Sequence, residues 1–283
     1  MKLKSVNIQN QKNYYRLKIM YEKVIEVDIW STYGCFNKSF SNKGGLLTYP
    51  IPPKTAIIGM IGSVLGIDFD DYEEIGDKRI YSIEKFYDIQ ISVQALFDLK
   101  TARLVYNNCD KTIANIYQDI LVNPKYKVFI SFPIKLKEYE SEFIEKIKNH
   151  STIYNLYMGR NEFPLNYEYL RSFDRIDKSF TDEDDIEDFK VIGFIKRSKF
   201  EEISIHKIDK FSSNVIGSKP FFEYLINDYP IKRYNFTNFK YEFISFYPEL
   251  NNEINSYFYK LELKDDSEII LTDIGDDKWI YLI

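Results

Sequence analysis

The segment TYPIPPKT, residues 48–55, constrains this chain more than any other. Pro50, Pro52 and Pro53 force extended backbone ahead of them and favour a helix start directly after them, so the chain must change periodicity here. Upstream, Ile25, Val27 and Ile29 alternate with Glu26, Asp28 and Trp30, the period of a half-buried strand. A Gly-containing loop, NKSFSNKGGLLTY, connects that strand to the prolines. Downstream, Ile57, Met60, Ile61, Val64 and Leu65 recur at helical spacing, predicting a helix from Lys54 to Gly66. Gly59, Gly62, Ser63 and Gly66 give that helix a small-residue side. A glycine inside a helix costs up to about 1 kcal/mol relative to alanine, and close approach to a sheet or another backbone is the usual reason for it.

The rest of the chain extends the pattern. After an acidic connector, DFDDYEE, a second strand reads from Ile89, Ile91, Val93, Ala95 and Phe97, and a third runs from Tyr126 to Phe132. The residues between them are too many for a tight turn and form an excursion of their own, roughly Leu99 to Asn123. EYESEFIEKIKNH places Tyr139, Phe143, Ile144 and Ile147 on one helical face, and YNLYMG reads as a fourth strand. The resulting order, β-α-β-β-α-β, is that of an α+β, ferredoxin-like (RRM-like) unit. We expect three parts: a polar leader over 1–19, this unit over 20–165, and a smaller β-rich domain over 166–283. The leader carries Lys2, Lys4, Lys12, Arg16 and Lys18 with no acid, and Met20 suits a natural start that makes it dispensable. The third part opens with the acidic run TDEDDIED and continues in short aromatic segments, VIGFIKR, ISIHKI, KYEFISFYP, SYFYKLEL, EIILTDI and KWIYLI.

Charge and composition remove several functions. With 38 Lys+Arg against 43 Asp+Glu, the formal charge of −5 disfavours a general polyanion binder. The aromatic share, 17%, suggests base stacking, but abundant Ile, Lys and Asn with scarce Ala is the bias of AT-rich codons and explains it more simply. Two cysteines, Cys35 and Cys109, and two histidines, His150 and His206, make neither a disulfide framework nor a zinc site. We expect no metal and no cofactor. The longest apolar stretch, Ala56 to Ile67, is too short to span a bilayer, and the first nineteen residues lack a signal-peptide core, so a cytoplasmic protein is expected.

Three blocks carry a resemblance. TYPIPPKTAIIGMIGSVLGI resembles the signature of the Cas-five family, the CRISPR-associated proteins of the RAMP superfamily that cap the crRNA 5′ end in Cascade complexes. ILVNPKYKVFISF resembles the family's entry into its third strand, and YMGRNEFPL its Leu-Gly-x-x-Glu-Phe-Pro turn, with Met158 in place of the usual Leu. The resemblance implies an RNA-binding subunit of a type I surveillance complex in antiviral defence, most like the I-B lineage. Such a subunit holds the 5′ handle of the guide RNA, docks the large subunit and the first backbone subunit, and meets target DNA only indirectly. It also identifies the excursion at Leu99–Asn123 with the family's thumb, which presses on the guide beside the handle.

The residues supply candidates for such contacts. No acid occurs from Ile29 to Ile67, whereas Lys38, Lys43 and Lys54 do, and the helix start at Lys54 and Thr55 offers a positive dipole end to a phosphate. The same two residues also suit the plain start of a core helix. In the excursion, Lys100, Arg103, Lys111, Asn107, Asn108 and Asn115 are donors for phosphate, ribose and base edges, and Tyr106 is a stacking candidate; a solvated loop is the alternative. Arg160 follows Gly159, which permits close backbone approach. Lys125, Lys127, Lys135 and Lys137 read as one solvated edge.

A cutting branch of the same family, a metal-independent endoribonuclease that processes precursor crRNA, is the rival. It needs a base for the ribose 2′-OH and an acid for the leaving oxygen, supplied there by a Tyr near the first helix and an adjacent Lys-His pair in the excursion. No Lys-His pair lies between Leu99 and Asn123. His150 suits a helix end and His206 follows strand alternation. We therefore expect a binding subunit with no catalytic residues. A stand-alone RNA-recognition protein would need aromatic platforms, and the polar strand faces Gln90, Ser92, Gln94 and Lys127, Phe129, Ser131 offer only one.

Overall fold

The alternation beginning at Val24 forms β1 (Lys23–Trp30), and the proline break is followed by α1 (Lys54–Leu65). They belong to a computed structural model that describes residues 20–38, 41, 45–68, 70–76, 78–108, 114–181, 190–209, 215–218, 221–228, 240–248 and 255–283. The leader over 1–19 and nearly all of the acidic run TDEDDIED lie outside the described residues. The unit continues through β2 (Gln90–Ala95), β3 (Lys125–Ser131), α2 (Lys137–Lys148) and β4 (Asn166–Asp174). The four strands make one antiparallel sheet in the order β4-β1-β3-β2.

Register places the apolar positions in rows. Tyr169, Val27, Val128 and Val93 are successive partners across the sheet, as are Tyr167, Ile29, Tyr126 and Ala95. Ile57, Ile58, Ile61, Val64 and Leu65 of α1 and Phe143 and Ile147 of α2 close over these rows in one core. Each such fully buried side chain contributes roughly 1.5–3 kcal/mol. The helix glycines divide by role. Gly66 ends α1 at φ 75, where its N–H reaches the Gly62 carbonyl, and a Cβ on Gly62 would stand 2.7 Å from Ile83 Cδ1. At Gly59 a Cβ would meet nothing within 4 Å, so close packing within the chain does not account for that glycine.

One expected strand is displaced. Residues 154–159, YNLYMG, form a loop with a single bridge, Tyr157 to Pro164, and the fourth strand is Asn166–Asp174 instead. The apolar residues of that loop act as separate anchors: Met158 is fully buried, its N–H donates to Phe163 O at 2.7 Å, and its carbonyl accepts from Cys35 N at 2.9 Å. The true strand begins immediately after the boundary expected at Leu165, and its pairing with β1 ties it to the first sheet. The excursion is likewise ordered at its root, as a hairpin arm of Thr101–Asn108 paired with Ala114–Val122. Residues Cys109–Ile113 at its tip lie outside the described residues.

The C-terminal segments form strands, among them Phe200–Asp209, Lys240–Phe246, Asn255–Leu263 and Glu268–Gly275, arranged among the described residues in three small sheets. These strands cover the polar face of the first sheet, which the alternation of β1 alone would leave in water. Ser92, Gln94, Phe129 and Ser131 are fully buried there and Glu26 is 4% exposed. Gln94 Nε2 donates to Tyr247 O at 2.8 Å, and its Oε1 accepts the Gly193 N–H. Gly193, at φ 80, lies so close that a Cβ would stand 2.5 Å from Ser92 Oγ. Glu26 accepts from Lys127 Nζ at 2.5 Å and Arg171 Nε at 2.6 Å, and Arg171 also donates to Ile274 O. Burial alone would raise the Glu26 pKa; the two cationic donors outweigh it and hold the carboxylate below its usual range. Replacing Gln94 by Leu would leave the Gly193 N–H and the Tyr247 carbonyl buried without partners. The expected loss is roughly 2–4 kcal/mol, read as a lower urea midpoint.

Candidate nucleic-acid interface

The turn at Gly159 is pressed against the segment that follows β1. At φ 84, a Cβ on Gly159 would stand 2.2 Å from the Cys35 carbonyl oxygen, and one on Gly34 would stand 2.5 Å from Met158 Cγ. Only glycine fits either approach, so the turn presents Arg160 from a fixed position. Arg160 Nη1 donates to Gln118 Oε1 at 3.1 Å, and Nη2 donates to Glu162 Oε1 at 2.8 Å. The Tyr106 side chain lies near this guanidinium and favours its charged form. Burial opposes the charge on Arg160, and the contacts with Glu162 and Tyr106 more than restore it. The structure thus brings together two residues that the sequence suggested separately, Arg160 from the turn and Tyr106 from the arm. It adds Gln118, 5% exposed, which no sequence signal distinguished.

Beside this cluster lies a groove of about 650 Å³ between α1 and the loop 154–159. Thr55, Gly59 and Ser63 line its helix side, while Tyr154 and Tyr157 line the other and are 46% and 44% exposed. Gly59 leaves the helix backbone bare there. Small residues opposite exposed tyrosines leave space for a flat ring, and stacking of a base on an aromatic side chain is worth roughly 1–3 kcal/mol.

The remaining candidates are distributed differently. Lys54 is 7% exposed and Thr55 4%, so both belong to the packed start of α1, and of the two only Thr55 lines the groove. Lys38 pairs with Glu223 at 2.6 Å, with 16% of its side chain exposed, and stands over the Tyr49 ring. It joins the loop after β1 to the C-terminal strands. Arg103 makes a two-point contact with Asp119 across the arm at 2.8 and 3.3 Å, and Lys100 pairs with Asp98 at 2.9 Å; both cations are well exposed. Lys43 and Lys111 lie outside the described residues, as does the side chain of Asn108. The basic stretch is paired throughout: Lys125 with Asp28, Lys127 with Glu26, Lys135 with Asp88 and Lys137 with Glu22.

Other reactive groups near the site are structural. Cys35 is fully buried, its thiol donates to Asn37 Oδ1 at 3.0 Å, and burial raises its pKa away from the thiolate. His150 lies just past the end of α2 and packs its ring 4.9 Å from that of Tyr167. Among the described residues no three His, Cys, Asp or Glu side chains converge on a metal position.

Comparison with known proteins agrees with one family. The family described as CRISPR-associated protein (Cas_Cas5) matches residues 24–234. No curated protein matches the chain. Among solved structures, a CRISPR RNA-guided surveillance complex aligns with a TM-score of 0.44 at 9% identity, over 85% of this chain and 90% of that one. A CRISPR protein from Archaeoglobus fulgidus aligns with a TM-score of 0.44 at 12% identity, over 93% of this chain and 98% of that one. Because the Gly159 turn fixes Arg160, Gly159→Ala should cost about 3 kcal/mol or more and lower the melting temperature, whereas Gly59→Ala should be tolerated or stabilising.

Proposed function

Because the chain belongs to the Cas-five family of CRISPR-associated proteins, matched over residues 24–234, we propose that it is the crRNA-binding subunit of a type I Cascade complex. In this reading it holds the 5′ handle of the guide RNA and docks the large and backbone subunits in the cytoplasm, and its sequence blocks favour the I-B lineage. The four-stranded order β4-β1-β3-β2 with both helices on one face supports assigning residues 20–165, extended through β4, to a ferredoxin-like unit of the RAMP type.

The observation that carries the proposal is the meeting of Arg160, Tyr106 and Gln118 beside the groove. The sheet face that RNA-recognition folds use is covered here over Ser92, Gln94 and Phe129, so a bound strand must run elsewhere. The groove and the arm root together offer stacking faces, a guanidinium and amide groups, the donors and surfaces that single-stranded RNA requires. Glu162 is 53% exposed, so its pair with Arg160 contributes at most about 1 kcal/mol and can be exchanged for a phosphate contact. Lys38, committed to Glu223, is a stabilising residue in this scheme.

The double variant Arg160→Ala, Tyr106→Ala should weaken capture of a 5′-handle RNA by at least about tenfold in a filter-binding assay. Unchanged capture by this variant would count against the proposal. We read the subunit as non-catalytic, since no Lys-His pair occurs in the excursion. Purified protein incubated with its repeat RNA in EDTA should leave that RNA intact, and site-specific cutting would return the endoribonuclease reading to first place.

A further inference from the structure

The C-terminal strands cover the sheet face around Val24 and Glu26, and at the opposite end of β1 a recess of about 460 Å³ remains open. Trp30, Thr32, Asn123, Lys125, Asn166 and Glu168 line it. Trp30 pairs across the sheet with Asn166, and Asp28 with Glu168, so Trp30 and Glu168 are diagonal neighbours on one face. Such neighbours stand roughly 7–8 Å apart, within reach of one planar group lying on the indole.

The charges here are unbalanced. Lys125 Nζ is 3.6 Å from Asp28 Oδ2, and Asp28 Oδ1 is buried with no hydrogen-bond partner among the described residues. The same ammonium stands 6.0 Å from the Trp30 ring centroid, at the outer limit of a cation–π contact. Glu168 is exposed and, among the described residues, forms no ion pair. Asp28 thus takes up the charge of Lys125, Lys127 is committed to Glu26, and the Glu168 carboxylate is left over at the recess. A phosphate would be repelled, whereas a cation that is flat enough to stack on indole and forked enough to grip a carboxylate fits both features. A guanidinium has this shape and an ammonium does not.

We propose that this recess seats an arginine side chain of a neighbouring protein subunit, stacked on Trp30 and paired with Glu168. The proposal rests on reading the chain as a subunit of a larger complex but not on its RNA contacts, because it concerns a different face and a ligand of opposite charge. Lys125 distinguishes the two ligand classes: it competes with an incoming arginine, but would assist a nucleotide.

The test uses the full chain with Trp279→Phe, which leaves Trp30 as the single indole and retains a ring against Phe180. Its fluorescence is titrated with acetyl-Gly-Arg-Gly-amide, with the lysine counterpart, and with adenosine monophosphate. The arginine peptide should give a saturable change, with affinity about threefold or more above that of the lysine peptide. Glu168→Gln should weaken it by about threefold, the size of one exposed ion pair, and Lys125→Met should strengthen it. Absence of a saturable response to the arginine peptide overturns the proposal. So does preferential binding of adenosine monophosphate that Lys125→Met weakens, which would make the recess a nucleotide site.

Discussion

The burial of a polar sheet face is the constraint on which this architecture depends. Glu26, Ser92, Gln94 and Ser131 sit beneath the C-terminal strands, where a polar group without a partner costs several kcal/mol. Each of the larger ones is met by a specific group: Glu26 by Lys127 and Arg171, and Gln94 by the backbone of Gly193 and Tyr247. Ser131 donates to the Lys23 carbonyl within its own sheet. Apolar contact alone would let the cover slide. These directional bonds fix its position, and the cluster of Val24, Phe129, Ile192, Ile274 and Ile280 then packs beside them.

Closing that face moves recognition to the periphery. What remains accessible is the hairpin arm, the groove along α1 and the open end of the sheet at Trp30. Arm and groove share a support, since Tyr33–Gly34 pairs with Leu121–Val122 at the arm's root while Gly159 abuts Cys35 one residue later. The global charge of −5 is compatible with this division, because the lysines along and just after β3 are each paired with a nearby acid, Asp28, Glu26, Asp88 or Glu22.

Local periodicity made much of the first unit legible. The alternation of Ile25, Val27 and Ile29 and the proline break before Lys54 correspond to β1 and α1 within a residue or two. The fourth strand was not legible in the same way. Leu156 and Met158 mimic alternation because they anchor a loop in the core, whereas the real strand, Asn166–Asp174, carries its inward tyrosines among charged residues and a bulge. The candidate site was readable residue by residue but not as a constellation. Arg160 and Tyr106 were each marked by local chemistry, but their contact depends on the register of the arm against Tyr33–Gly34, which no short motif encodes. Lys38 and Lys54 looked alike in an acid-free stretch; a partner 185 positions away and the packing of the helix start distinguish their fates from an exposed phosphate ligand.

The separation between Gln94 and Tyr247, 153 positions, also has a consequence for synthesis. At about 5–20 residues per second, a ribosome needs on the order of 8–30 s between making the first and the second. During that interval the finished β1-β3-β2 surface waits for its cover. Had the waiting surface been built of Val and Ile, it would be a sticky template for other nascent chains. With Gln, Ser and a salt-bridged Glu set around Val24 and Phe129, it presents less apolar area to other chains until the late strands arrive, so the polarity that orients the mature contact also lowers the stickiness of the half-made protein.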